Sequence, residues 1–544
     1  MLSKLSRFGY ACMPARYRSS AAATVGCPFQ QAGTHQVAGP VYEDALPFSE
    51  VPTPKGLPIL GTAIELIRSG GAAKIHEYCH KRHQELGPIF REKMGALDVV
   101  VVSNEDYITR VYRSEGKNPM HLVPEPWLIY NEKKGIKRGL FFMDGEQWRS
   151  RRSVLNHLLI PKIAELHGHI FTSVVNDVVD RWEKIVEKTG DGVLPNLENE
   201  LYNWSIETLG TMVFGRRLGC VMPAESESQL HEFVHQVQQI FKESATMAII
   251  PPKLASTFRL PVWRRFESAA DTALEMARGY VEQRIAEIDQ ERKTDKPIGG
   301  ILRYLLDIPN IVQNEIVNIV ADLILAAADT TKKMTNNWEI WMIGVVNGLN
   351  LYLVFMTFLM NTSHATQWAL YSLARNPECQ EKILSEIARV VPVEREINHN
   401  DIKNIPYLMK IVKETLRLYP IASFLTRVLP KKIVLGKYEI PAGKLFFMSQ
   451  YTVGRDPERF DDPEKFDPDR WDNPKPNAHG CMPFGHGARG CIGRKVAELK
   501  MQLLLAKAVQ RYHIEAVNEK EVGIALRMIT TPDQPIKLRL TKRT

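Results

Sequence analysis

Ten residues toward one end of the chain hold the types from which metal chemistry is built. Phe484-Gly485-His486-Gly487-Ala488-Arg489-Gly490-Cys491-Ile492-Gly493 sets one thiol among four glycines, and an apolar, helix-like run from Val496 to Val509 follows at once. Glycines lack a Cβ and let the backbone come close to a flat surface. Arg489 and the N-terminus of the predicted helix supply the positive potential that favours thiolate over thiol. A free core cysteine, the common fate of this residue, needs no such surroundings. The pattern is that of a thiolate presented to a metal in a planar cofactor.

The elements that must position this loop are mostly helical. Amphipathic spacing predicts helices from Asp144 onward, over Lys162–Thr189, Leu197–Phe214, Ser228–Ala245, Pro261–Glu291, Ile311–Thr331, Leu373–Val391, Ile402–Leu418 and Val496–Arg511. Trp148 and Arg152 are four residues apart and share a helix face. Ile89–Ser103, rich in Val after Gly87-Pro88, predicts two short strands, and Thr426–Leu429, Lys432–Ile440 and Lys444–Met448 are further strand-like pieces. Val51–Gly61 is a stiff, extended Pro/Gly-rich entry segment.

Composition narrows the class. With 544 residues, 44% hydrophobic and 24% charged, the chain is an ordinary globular protein. The net charge is +8, and Lys4, Arg7, Arg16 and Arg18 precede the first acid, Glu43, so the rest of the chain is too weakly basic to suggest nucleic acid. Seven scattered cysteines with no CxxC pair argue against a disulfide framework. The Arg-, Ser- and Ala-containing, acid-free start has the composition of a mitochondrial transit peptide, with a flexible lead-in through residue 45. It holds no apolar run long enough for a membrane anchor.

Four motifs carry a family resemblance: the Cys491 loop, Lys413-Glu414-Thr415-Leu416-Arg417-Leu418-Tyr419-Pro420, Asp456-Pro457-Glu458-Arg459-Phe460 and Phe466-Asp467-Pro468-Asp469-Arg470-Trp471. A Glu and an Arg three apart on a helix are by themselves a common surface pair. In this order and company, they resemble the C-terminal part of a cytochrome P450, and the resemblance covers residues 46–544 apart from an interruption at 331–361. It implies a mainly α fold with small β-sheets, forming one large haem-binding domain. Haem b would be ligated by the Cys491 thiolate, framed by Phe484 and Gly493, and thiolate ligation favours O–O cleavage. Trp148, Arg152, Arg427 and Arg489 would meet the two haem carboxylates. Glu414 and Arg417 would form a buried structural pair, with Arg459 completing a Glu-Arg-Arg network.

The resemblance also assigns Ala326-Ala327-Ala328-Asp329-Thr330-Thr331 to the oxygen-activating helix, where Asp329 and Thr330 would relay protons. Ala327 stands where the family usually has Gly. A sharper departure follows. The expected continuation resumes only at Thr362-Ser363-His364-Ala365-Thr366-Gln367-Trp368, after 31 extra residues, 331–361. As straight helix these would add about 46 Å. Trp338–Met360 is nearly apolar enough for a membrane span, with Glu339, Asn347 and Asn350 against it. The expectation is a segment foreign to the family, such as a retained in-frame intron or a mistaken gene model, which splits the helix beside the haem.

Lys410, Lys413, Arg494 and Lys495 resemble the basic face on which mitochondrial P450s dock an acidic ferredoxin, itself reduced by an NADPH-dependent reductase. Met409 stands where some members place the first of these lysines. The apolar, basic-flanked segment 250–263 suggests peripheral association with the inner membrane, on the matrix side. Glu125–Tyr130 and Gly139–Trp148 most resemble arthropod ecdysteroid 2-hydroxylases, which implies an apolar steroid substrate and O2. Family pockets point to Leu128, Met143, Leu325, Ala326, Phe424 and Ile529 as lining. Two other readings stay open: a xenobiotic-metabolising mitochondrial P450, and an inactive splice or gene-model variant.

Overall fold

A computed structural model describes residues 45–58, 61–94, 97–122, 125–135, 145–159, 163–221, 232, 235–236, 239–240, 243–244, 247, 252–293, 300–308, 360–392, 394–472, 481–527 and 529–543. Apart from residue 45, the described residues belong to one compact unit, 46–544.

Within this unit a four-stranded sheet forms early and closes late. Helices α1 (Ala63–Arg68) and α2 (Ile75–Leu86) lead into an antiparallel hairpin of β1 (Ile89–Met94) and β2 (Leu97–Val102). Helices α3 (Glu105–Ser114), α4 (Glu125–Lys134), α5 (Gly145–Leu159) and α6 (Ile163–Thr189) follow, then the two-residue strand β3 (Val193–Leu194) and α7 (Leu197–Phe214). The Asn104 and Asn196 side chains cap α3 and α7 by accepting backbone N–H groups, and Gly215, at φ 72°, ends α7 in the left-handed conformation. The short α8 (Pro252–Thr257) precedes the long α9 (Pro261–Lys293) and α10 (Ile301–Leu306).

After the interval 309–359, α11 (Met360–Arg375), α12 (Pro377–Val390) and α13 (Pro406–Leu418) pack together. The helix expected over Leu373–Val391 is thus two. Pro377 cannot continue α11, because it has no N–H to donate, and instead opens α12 at its first turn. Pro406 opens α13 in the same way, after a 3₁₀ turn at Ile402–Asn404.

Strand β4 (Phe424–Val428) and the hairpin of β5 (Ile433–Leu435) with β6 (Tyr438–Ile440) come next, then β7 (Leu445–Ser449) and the short α14 (Gln450–Val453). β7 inserts between β2, parallel, and β4, antiparallel, giving the order β1-β2-β7-β4. Covered on both faces, β2 needs no polar alternation. Val99 and Val101 pack with Phe90, Phe424 and Phe447, while Val100 and Val102 pack with Ile108, Val111 and Phe446.

The last helix, α15 (Arg494–Arg511), is buried continuously from Val496 to Val509 and packs on α6, α11, α12 and α13. Strands β8 (Tyr512–Ala516), β9 (Ile524–Arg527), β10 (Ile529–Pro532) and β11 (Leu538–Lys542) finish the chain, with β11 pairing back to β3. The expected helix at Ile311–Thr331 lies outside the described residues, and that at Ser228–Ala245 largely so.

Candidate active site

The loop before α15 is drawn into a tight hairpin. Cys491 N–H donates to Phe484 O at 2.7 Å, Gly485 N–H to Met482 O at 2.8 Å, and Gly490 N–H to Gly487 O at 3.0 Å. Gly487 sits at φ 75°, and a Cβ there would run into the Glu115 carboxylate, so the glycine is required twice over. Gly493 caps α15 and accepts from Ala497 N–H at 2.8 Å, which fixes the cysteine at the head of a deeply buried helix.

The electrostatics correct one expectation. Burial pushes the Cys491 thiol up to about 12, opposed by Gly493 and by the positive charges of Arg152 and Arg494. Arg489 is otherwise occupied: its Nε donates to Pro119 O at 2.7 Å and its guanidinium lies 4.2 Å from the Trp148 ring centroid. The positive charges that oppose burial at the sulfur are thus those of Arg152 and Arg494, and coordination by a bound metal would remove the thiol proton.

Around the loop the structure gathers the cations expected to meet the cofactor. Arg152, on α5, donates to Gly490 O and, at 2.9 Å, to Asn156 Oδ1. Burial lowers its guanidinium to about 10, and among the described residues no carboxylate pairs with it. Trp148, one turn earlier, is buried beneath Arg489. Arg427 differs. It is paired with Glu115, a buried carboxylate that sequence reasoning missed, and it also donates to Thr426 O at 2.8 Å and His486 O at 3.4 Å. Haem b fits this donor set: glycine backbone around a ligating sulfur, and a part-buried guanidinium, Arg152, with no acid among the described residues, where an anionic group would bind. Bound there, haem supplies the oxygen chemistry that a thiolate ligand promotes.

The network behind the loop is closed. Arg417 Nε and Nη2 donate to the two Glu414 oxygens at 2.9 and 2.7 Å, and both side chains are fully buried. Arg417 also donates to the carbonyls of Gly454, Pro463 and Lys465. Glu414 further accepts from Arg470 Nε at 2.9 Å, Trp471 Nε1 at 3.0 Å and Asp467 N–H at 2.9 Å. The second arginine on Glu414 is therefore Arg470. Arg459 instead bonds Asp456 at 2.9 Å and Glu105 at 2.8 Å, tying its loop to α3. Arg470 stood in the quoted Phe466–Trp471 segment, but nothing in the spacing chose it over Arg459.

Other expected positions are scattered. Asp329, Thr330, Leu325, Ala326 and Met143 lie outside the described residues, as do residues 331–359. Just beyond, α11 is firmly seated: Ser363 Oγ donates to Leu201 O at 3.0 Å and Trp368 stacks on Tyr419 at 4.0 Å. Phe424 is packed with Phe447 and Ile529 joins the main core, while their neighbours Ser423 and Thr530 hydrogen-bond to each other at 2.9 Å. Leu128 is half-buried on α4, whose Trp127 and Tyr130 pack against Trp263 and Phe266. Of the basic face, Lys410 is engaged by Asp472 at 2.5 Å and Lys413 lies 5.5 Å from the Trp471 ring centroid. Arg494 and Lys495 are more than half exposed, both near Glu498. In the segment expected at a membrane, Leu254 and Phe258 are exposed, but Val262 and Trp263 turn inward and are buried.

A mainly helical domain that presents one cysteine at the head of a buried helix, beside the arginines Arg152, Arg427 and Arg489, defines a haem-thiolate protein. The family model described as cytochrome P450 matches residues 51–339 and 353–540. The chain is 33% identical to the mitochondrial cytochrome P450 315a1 of Drosophila melanogaster over 521 residues, covering 92% of this chain and 90% of the relative. It is 30% identical to the mitochondrial cholesterol side-chain cleavage enzyme of Oncorhynchus mykiss over 476 residues, 86% of each. It is 29% identical to the mitochondrial sterol 26-hydroxylase of Rattus norvegicus over 510 residues, 91% and 89% of the two chains. The chain belongs to the cytochrome P450 family, as a mitochondrial-type haem-thiolate monooxygenase. Among the described residues no helix is long and apolar enough to cross a membrane.

Proposed function

We propose that the chain hydroxylates a steroid, an ecdysteroid precursor at its 2-position, using O2 and electrons delivered one at a time by a ferredoxin that an NADPH-dependent reductase reduces. The relatives named for cholesterol and sterol substrates carry the substrate class. The likeness of Glu125–Tyr130 and Gly139–Trp148 to arthropod ecdysteroid 2-hydroxylases carries the position.

In this reading Cys491 ligates the haem, while Arg152 and Arg489 hold its carboxylates with Trp148 packed beneath Arg489. Asp329 and Thr330 hold the protons that the reaction consumes. The exposed Arg494 and Lys495, with Lys413, draw the acidic ferredoxin to the Cys491 side. Lys410, held by Asp472, contributes less. The exposed Leu254 and Phe258, with Lys253 and Arg259 beside them, rest on the inner membrane from the matrix side. Reconstitution with a mitochondrial ferredoxin, its reductase and labelled 2-deoxyecdysteroid tests the substrate. A 2-hydroxylated product is expected; turnover of xenobiotics alone refutes it.

A second reading has its own observation. The family model matches on both sides of 340–352 but not across it, and this gap falls inside residues 331–361. We take those residues as foreign to the family pattern and the chain that carries them as an inactive variant. Sequencing the transcript across Asp329–Ser363 tests this. A carbon-monoxide difference spectrum of the reduced full chain showing intact thiolate ligation, together with turnover, overturns it.

A further inference from the structure

We infer that the acidic ferredoxin is seated on a second basic surface, formed by Arg113, Lys117, Lys431 and Lys432 around Met120, on the α3 side of the Cys491 loop. The inference rests on the ferredoxin reading and deepens it by assigning part of the partner's footprint. The fold brings the end of α3 against the turn between β4 and β5. A Cβ at Gly116 would stand 3.7 Å from the Pro430 ring, and Met120 bridges to Val428, accepting its N–H at 3.0 Å. Arg113, Lys117, Lys431 and Lys432 are exposed around this join, and Met120 is 41% exposed within it. Beneath, the same stretch rests on the cysteine loop. The Tyr112 ring meets His486 edge-on at 5.7 Å, and Arg489 Nε donates to Pro119 O at 2.7 Å.

The balance of charge differs between the two sides of the loop. On the α15 side acids answer the cations. Lys410 is engaged by Asp472 and Lys382 by Asp469, while Arg494 and Lys495 share Glu498 at 2.7 and 3.6 Å. On the α3 side, Arg113 and Lys431 form no ion pair among the described residues. Lys432 meets Glu439 at 2.9 Å, with the lysine 70% exposed. Glu115, the only acid between Asp106 and Glu125 in the sequence, is turned inward and closed by Arg427. An acidic protein drawn to the loop therefore finds uncompensated positive charge on this side, which sets its approach and orientation. Met120 gives that approach an adaptable apolar contact inside a charged rim, the arrangement of a protein interface.

The test is binding of a mitochondrial ferredoxin to the haem-loaded full-length chain, by titration calorimetry at low and high salt. Arg113→Glu combined with Lys431→Glu is expected to weaken binding about tenfold at low salt, and the deficit is expected to close at high salt. Lys81→Glu combined with Lys520→Glu reverses two exposed charges elsewhere, on α2 and between β8 and β9, and is expected to change little. Carbodiimide is expected to cross-link Lys431 to a ferredoxin carboxylate. Lys431→Arg keeps the charge without the amine, so it is expected to bind as the wild type does and to lose that cross-link. Wild-type binding by the Arg113/Lys431 variant, or a deficit matched by the control pair, overturns the inference. So does a loss confined to anionic phospholipid vesicles with ferredoxin binding intact, which marks the surface as a lipid contact. A wild-type chain that binds no ferredoxin overturns this and the ferredoxin reading together, whereas binding that only the α15-side cations support overturns this alone.

Discussion

Two clusters of arginine, one around Glu414 and one around the Cys491 loop, are built on opposite rules. Around Glu414 every group is answered: one carboxylate takes Arg417, Arg470, Trp471 and a backbone N–H, and the spare N–H groups of Arg417 go to carbonyls. Around Arg152 and Arg489 the guanidiniums meet backbone carbonyls, an amide and an aromatic face. A closed ionic network locks loops in place, because removing any member strands a buried charge. Arg152, with which no described carboxylate pairs, is placed as a receptor, because its electrostatic satisfaction is completed by a ligand. Arg427 belongs to both kinds, lying in the second cluster but already closed by Glu115.

Substitutions can break or sharpen that contrast. The largest loss is expected for Glu414→Ala, which leaves two guanidiniums without their acid and should cost about 4 kcal/mol, read as loss of folded, soluble protein in urea unfolding. Lys500 tests the rule from the other side, as a buried cation serving neither a network nor a ligand. Among the described residues its amine reaches only Ser205, at 3.2 and 3.4 Å, over the Trp204 ring, and burial lowers it to about 7. The folded pKa lies below the unfolded one, so the unfolded chain binds the extra proton between them. The cost of burial is therefore full below about pH 7 and fades as pH rises toward about 10. Lys500→Met should stabilise by on the order of 3 kcal/mol at neutral pH, with the advantage shrinking in alkaline unfolding experiments. Arg470→Ala should cost about 2 kcal/mol and Arg459→Ala about 1, since the partners of Arg459 are part-exposed and rehydrate. Equal losses would mean that the two arginines share Glu414 in solution. The smallest effect is expected for Glu115→Gln, which opens Arg427 to the ligand and should slow hemin loss about twofold.

The legible features were those set by nearby residues. The bounds of α7 follow from Asn196 and Gly215, and the β1–β2 hairpin from the Val-rich run. Glu414 and Arg417 could be paired because three positions on a helix bring side chains together. What escaped depends on distant chain. Glu115 is 312 positions from Arg427, and no local pattern links them. The choice of Arg470 over Arg459 depends on how the loop after α14 returns to α13. The break at Asn376-Pro377 lies inside a stretch with helical spacing on both of its sides. The C-terminal strands have little pattern of their own, and β11 is registered in part by β3, only two residues long.

The cofactor's cradle is assembled from pieces far apart in the chain. Arg152 meets Gly490 across 338 positions, and Arg489 meets Pro119 across 370. The sheet beside it closes only when β7 slides between β2 and β4. Such pairings are slow to form, because the loop entropy is lost before the contacts reward it. During synthesis, no partial chain that stops short of Cys491 contains any version of this site. Haem capture therefore comes last and stabilises only the completed product, so the cofactor itself certifies that the whole polypeptide has arrived and folded.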